Sequence, residues 1–185
     1  MGGSGVGMPL SGRTILVVET GVGLATANSY LSVAQADAYH AQYGSSAAWA
    51  GASWSQKEAA LVLATQYLDI TYEGRWRGRK ASATQALAWP RFGGLDNDAY
   101  TIAGDGVPEN LKRATAELAL RVVLGDELLG VIAQPGEVAS ESKSIGPIST
   151  SVTYVTGRPA GGKQYPKVDG LLRPLLEPTG QVYRA

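Results

Sequence analysis

The sequence predicts a mainly α-helical fold: a small helical bundle with a β-hairpin or extended arm and an extended C-terminal tail. Three observations carry this. Apolar residues recur at helical spacing in several stretches, opened by a capping residue or a proline. After Val138 the pattern switches to period two around Gly146-Pro147. No βαβ pattern follows the one early strand-like run, and no repeat of solenoid length appears.

The elements follow in order. Thr14 to Glu19 (TILVVE) is apolar and β-branched, which predicts a strand, ending in a Gly-rich turn over residues 20–23. Ser32 is placed to cap a short helix reaching Tyr43, with Gly44 just past its end. Its apolar stripe is Val33, Ala36, Tyr39 or His40, and Tyr43. Ser55 to Glu58 fits a capping box for a longer helix to about Tyr72, with Ala60, Leu61, Ala64 and Leu68 inside. Within residues 73–91, Ser82 to Gln85 are placed to cap a short helical turn that Pro90 stops. Residues 92–107 read as loop.

Pro108 suits a first helical turn, with Glu109 near the positive helix end. Leu111, Ala114, Thr115, Leu118, Ala119 and Val122 then form a buried stripe, and Arg113, Glu117 and Arg121 an i, i+4 ladder on another face. Gly125 bends or ends this helix, and Asp126 to Leu129 add a turn. Residues 140–145 and 148–155 predict the hairpin arm, and residues 157–164 a loop. Pro166 starts a last short helix through Val168, Leu171, Leu172 and Leu175, after which the tail leaves the fold. The chain divides into a flexible Gly-rich arm (residues 1–13), a helical body (14–137), and a hairpin arm, short helix and tail (138–185).

Composition narrows the function classes. A chain of 185 residues buries enough surface to fold without disulfide or metal. With no Cys, thiolate metal sites, Cys nucleophiles and redox sensing are excluded, and one His (His40) excludes paired-His metal sites. Charged residues are 17%, with 16 basic against 16 acidic, so the whole chain is neutral. That argues against a protein that coats duplex DNA. No stretch reads as a membrane span, because Arg121, Asp126 and Glu127 interrupt the most apolar one. The start, MGGSGVGMPLSGR, lacks the regions of a signal peptide, so a cytoplasm-like compartment is expected.

Three motifs come close to chemistry and fall short. Residues 157–164 (GRPAGGKQ) match a phosphate-binding loop until Gln164, which stands where a Mg²⁺-holding Ser or Thr is needed. Gly21 to Thr26 follow the strand but lack the third Gly or Ala of a dinucleotide fingerprint. Asp96-Asn97-Asp98 resembles a calcium loop with Thr101 at the Gly position and no closing Glu. His40 has no motif partner, and Asp37 with Glu58 form a carboxylate pair only by chance of folding. The sequence therefore predicts no catalytic site, no metal and no cofactor.

Residues 72–92 carry more weight. Tyr72, Arg75, Trp76, Arg77, Arg79, Lys80, Trp89, Arg91 and Phe92 interleave rings and cations, which is what single-stranded nucleic acid needs for stacking and phosphate neutralisation. The same residues also suit a buried or subunit interface, with Trp76 and Trp89 as anchors and arginines in ion pairs. Without a β-barrel to hold a platform, the interface reading is favoured.

The strings VETGVGLATANSYLSVAQADAYHAQYG, ASWSQKEAALVLATQYLDITYEGRWRG, QALAWPRFGG, VPENLKRATAELAL, SESKSIGPIS and YPKVDGLLRPLL together resemble a tailed-bacteriophage family often described as DnaT-like single-stranded-DNA-binding proteins. The resemblance spans residues 17–176, and QALAWPR and KRATAELAL are its most specific blocks. The helical plan is also similar to phage head-to-tail adaptors. That likeness implies a non-enzymatic virion protein: a homo-oligomeric, commonly dodecameric ring beneath the portal protein, joined to a tail or nozzle protein and assembled in the host cytoplasm. It implies contact with packaged DNA in the channel and no membrane partner. Carried to this chain, the docking elements are residues 140–154 and 171–185, with Ile145, Ile148, Val152, Tyr154, Leu171, Leu172, Arg173, Leu175, Leu176, Tyr183 and Arg184. The alternative is a replication-type single-stranded-DNA-binding protein using residues 72–92.

Neutrality is an average over unlike segments. Residues 73–91 carry five basic side chains and one acidic, residues 92–142 three and nine, and residues 143–185 six and two. Such segregation suits neighbouring subunits attracting one another, with a basic rim toward DNA.

Overall fold

In the computed structural model, residues 15–44, 46–129 and 163–178 are described in full, and residues 141–145 and 148–152 by their backbone. The fold is mainly helical. Helices α1 (Val33–Tyr43), α2 (Ala47–Gly51), α3 (Trp54–Thr71), α4 (Glu109–Val123) and α5 (Pro166–Leu172) surround one apolar core. α3 and α4 form its centre, and α1, α2 and α5 each pack on α4. Leu61, Leu68, Leu111 and Leu118 are fully buried between them. Removing each such side chain from water contributes about 1.5–3 kcal/mol.

The caps are local and legible. Ser32 accepts from the Gln35 N–H while the Gln35 side chain accepts from the Ser32 N–H, closing a box at the start of α1. α3 starts two residues earlier than expected. Its box is Ser53 with Gln56, not Ser55 with Glu58, which places Trp54 at the first helical position and Glu58 on a buried face. α2 is a single turn whose Trp49 is buried, a helix the sequence does not predict.

The early strand is corrected. Residues 15–19 make one isolated bridge, Val18 to Ser29, and no sheet. Three backbone bonds join residues 17–19 to residues 28–29, and side chains supply the rest: Asn28 Oδ1 accepts from the Val17 N–H, and the buried Glu19 carboxylate accepts from the N–H groups of Gly21, Gly23 and Leu24 at 2.8–3.0 Å. The glycine turn thus wraps an internal carboxylate, the chemistry that an external phosphate would otherwise demand.

The expected Arg113–Glu117–Arg121 face also bonds differently. Glu117 accepts from the Tyr39 hydroxyl (2.7 Å) and pairs with Lys167 (2.5 Å), tying α1, α4 and α5 together. Arg113 pairs with Glu109 at 3.5 Å and lies over the Tyr43 ring. The arm is as expected in its backbone: β3 (Glu141–Ile145) pairs antiparallel with β4 (Ile148–Val152), Ile145 opposite Ile148. A second two-strand ladder, β1 (Arg79–Lys80) with β2 (Arg91–Phe92), lies where no strand was predicted. No helical turn forms at residues 82–85: Gln85 Oε1 accepts from the Ser82 N–H (2.8 Å) while its Nε2 donates to the carbonyls of Leu87 (2.8 Å) and Pro90 (3.1 Å), which ties the loop between β1 and β2 together. No described helix is long and apolar enough to cross a membrane.

His40 is buried with its ring 4.7 Å from that of Trp49. Burial lowers its pKa below the ordinary 6.5, although Glu117, the backbone at Ala116 and Asp37 favour the charged form. A depressed histidine contributes stability that is present above the unfolded pKa and lost as pH falls through the folded one. Urea unfolding between about pH 7 and 5 is therefore expected to show stability falling with acidity, and His40→Gln to flatten that slope.

Candidate functional site

Residues 75–79 read Arg-Trp-Arg-Gly-Arg; Arg75 lies in a turn, Trp76 bridges to Leu176, and Gly78 at φ +71° turns the chain into β1. Trp76 turns into the core while Arg75, Arg77 and Arg79 lie at or toward the surface. Trp89 is buried completely, its ring edge-on to Trp76 at 6.1 Å, and Tyr72 lies 5.7 Å from Trp76 on the other side. The two rings, expected as buried or interface anchors in preference to a stacking platform, are therefore core. Neither offers a face to a ligand.

The arginines divide in the same way. Arg91 donates through its guanidinium to the carbonyls of Arg77 (2.9 Å), Gly78 (2.6 Å), Ala88 (3.3 Å) and Trp76 (3.4 Å), which leaves it a clamp on the chain. Burial lowers its pKa from the ordinary arginine value. Arg77 donates to the carbonyls of Leu176 and Leu95 and to the Asn97 side chain. Arg75 stacks over the Tyr72 ring. Arg79 and Lys80 are exposed on β1, and no described carboxylate lies within 4 Å of either.

The ring that does reach the surface is Phe92. It faces Arg79 across the ladder and is 47% exposed, with Lys80 opposite Arg91 one step along. Glycines make the close approach possible. A Cβ on Gly78, which sits at φ +71°, would stand 2.4 Å from the Phe92 carbonyl, and one on Gly104 would strike the Phe92 ring. Tyr100, 73% exposed, stands in the adjoining loop, whose Asp96 carboxylate accepts from the N–H groups of Asp98 and Tyr100. Asp96 thus closes an Asx-type turn, and no group of three or more metal-ligating residues lies together among the described residues.

A tyrosine–aspartate pair fixes the loop segment that carries Trp89. The Tyr30 hydroxyl donates to Asp69, whose other oxygen accepts from the Ala88 N–H at 3.0 Å. Burial raises the pKa of both, against the pull of that hydrogen bond on Asp69.

The predicted docking residues split as well. Leu172, Leu175 and Leu176 are buried in the chain's own core, so they hold the C-terminal segment down instead of presenting it. Leu171 is half-buried and Arg173 exposed. The tail is stitched to the basic segment: the Arg77 N–H donates to the Leu175 carbonyl, and the Glu177 N–H to that of Arg75 at 2.7 Å. Ile145, Ile148 and Val152 lie on the β3–β4 hairpin, with only their backbone described. Tyr154, Tyr183 and Arg184 lie outside the described residues.

A family model described as "Putative DnaT-like ssDNA binding protein" matches residues 14–185. No curated protein and no solved structure matches the chain.

Trp89 separates packing from ligand contact. Trp89→Ala is expected to cost about 3–5 kcal/mol in chemical unfolding, as for other buried aromatic truncations. Loss of ligand affinity with an unchanged unfolding midpoint would place the ring at the surface and contradict this packing.

Proposed function

The chain belongs to the DnaT-like single-stranded-DNA-binding family, and on that membership we propose that it binds single-stranded DNA through the β1–β2 ladder. The observation that carries the reading is Phe92, an exposed ring held across from Arg79 and beside Lys80. A base stacks on a ring whatever its identity, and two cations unpaired with described carboxylates neutralise the flanking phosphates. Nothing on this face reads base edges, so binding is sequence-tolerant. The reading assigns the protein no enzymatic step, cofactor or metal.

A second reading keeps the chain as a ring-forming head-to-tail adaptor between phage portal and tail, in the virion. What favours it is the fate of Trp76 and Trp89, spent on the core, together with large apolar side chains left outside: Ile15, Val22, Trp54, Leu63, Ile70 and Leu124 are each about half exposed or more.

Two measurements check these readings. Oligo-dT titrated by fluorescence anisotropy is expected to bind in a salt-dependent way. Arg79→Glu with Lys80→Glu should lower the log–log salt slope by about 1.4, and Phe92→Ala should weaken binding by about 1–3 kcal/mol. A wild-type protein that binds no oligonucleotide at low salt removes the first reading. Native mass measurement with purified portal is expected to show assembly if the adaptor reading holds, and a protein that stays monomeric beside portal removes it.

A further inference from the structure

One feature lies outside the ladder. Residues 72–77 and residues 163–178 face each other across an open cleft of about 1210 Å³. Tyr67 and Tyr72 form its buried floor, and their hydroxyls are already committed, Tyr67 to the Lys163 carbonyl (3.0 Å) and Tyr72 to the Asp169 carboxylate. Four cations line it, Arg75, Arg77, Lys163 and Arg173, against the carboxylates of Asp169 and Glu177. Arg77 is held by carbonyls, and Lys163 lies 3.6 Å from Asp126. Arg75 and Arg173 have no described carboxylate within 4 Å. The Nε of Arg75 is buried without an acceptor while the guanidinium lies over the Tyr72 ring.

We infer that this cleft is a second contact for the strand that the ladder binds, taking its phosphate backbone beyond the base stacked on Phe92. The inference rests on the single-stranded-DNA reading of the ladder. Continuity is covalent: Arg77 lines the cleft, and Gly78 and Arg79 follow it directly into β1. The cation excess suits a polyanion, because guanidinium and ammonium groups hold phosphate oxygens by charge-assisted hydrogen bonds. The floor supplies no free ring face or hydroxyl, so the cleft follows backbone and leaves bases outside. A carboxylate-rich peptide would meet the same cations, and the test separates it from DNA.

The experiment compares oligo-dT of about 6 and about 20 nucleotides on wild type, Arg79→Glu/Lys80→Glu and Lys163→Glu/Arg173→Glu, each with a matching thermal melt. The cleft pair is expected to weaken the long oligonucleotide about tenfold or more and lower its salt slope by about 1.4, while the short one binds as to wild type. The exposed Arg173→Ala, which leaves the Lys163 pair intact, is expected to weaken the long oligonucleotide about threefold and covers the case in which the double variant fails to fold. The cleft assignment is overturned if the long oligonucleotide binds both cleft variants as it binds wild type while the ladder variant loses it, an outcome that leaves the ladder reading intact. It is also overturned if poly-glutamate competes at the cleft and oligo-dT does not. Wild type that binds neither oligonucleotide overturns the ladder reading itself.

Discussion

The Arg91 guanidinium is the contact on which the functional end of this molecule depends. It closes on the carbonyls of Trp76, Arg77 and Gly78, just before β1, and of Ala88, within the loop that joins β1 to β2. Bonds from a charged donor to backbone are stronger than neutral ones, and four at one group leave the loop one arrangement. With the loop closed, Trp76 and Trp89 meet edge-on under it and Phe92 comes out opposite Arg79. The burial of the tryptophans and the exposure of the phenylalanine are thus two consequences of one clamp.

The helical half of this architecture was legible because its signals are local. Ser32 and Gln35 at i, i+3 close a box by themselves, and the Leu111 to Ala119 stripe buries as its spacing requires. Where two local signals compete, spacing does not decide. Ser53 with Gln56 and Ser55 with Glu58 both fit a box, and tertiary burial of Glu58 selects the first. The strand over residues 14–19 was misread for a related reason. A β-branched run predicts extended backbone but not what its hydrogen bonds meet, and here Asn28 and Glu19 take up backbone donors in and after the run.

The basic and aromatic segment shows the limit of composition. Rings and cations interleaved in sequence describe a DNA platform and a clamped core equally well, because each needs the same atoms. No local signal separates them: Arg75 lies in a turn and Gly78 at φ +71°, so the alternation of an extended strand does not decide which way Trp76 faces. The clamp itself was not legible. Which arginine turns inward onto carbonyls depends on where the chain returns after Pro90, a long-range fact that no window of sequence holds.

Charge gives the last step. The chain sums to zero, yet an external strand meets only those cations that are not already engaged. Arg91 and Arg77 are spent on backbone carbonyls and Lys167 on Glu117, so they contribute little to a neighbouring phosphate beyond their distant field. Arg79, Lys80, Arg75 and Arg173 have no described carboxylate within 4 Å, and they lie on the ladder and around the adjoining cleft. Of the acidic residues, Asp169 and Glu177 line the same cleft, Asp169 bonded to the Tyr72 hydroxyl, while Glu19 is enclosed by its own turn, Asp69 is held by Tyr30, and Asp96 is folded into a turn of its loop. Internal bonding, more than the balance of residue types, decides which charge the surface presents. A neutral protein built in this way leaves, at the ladder and around the cleft, cations that are free of ion pairs with described carboxylates.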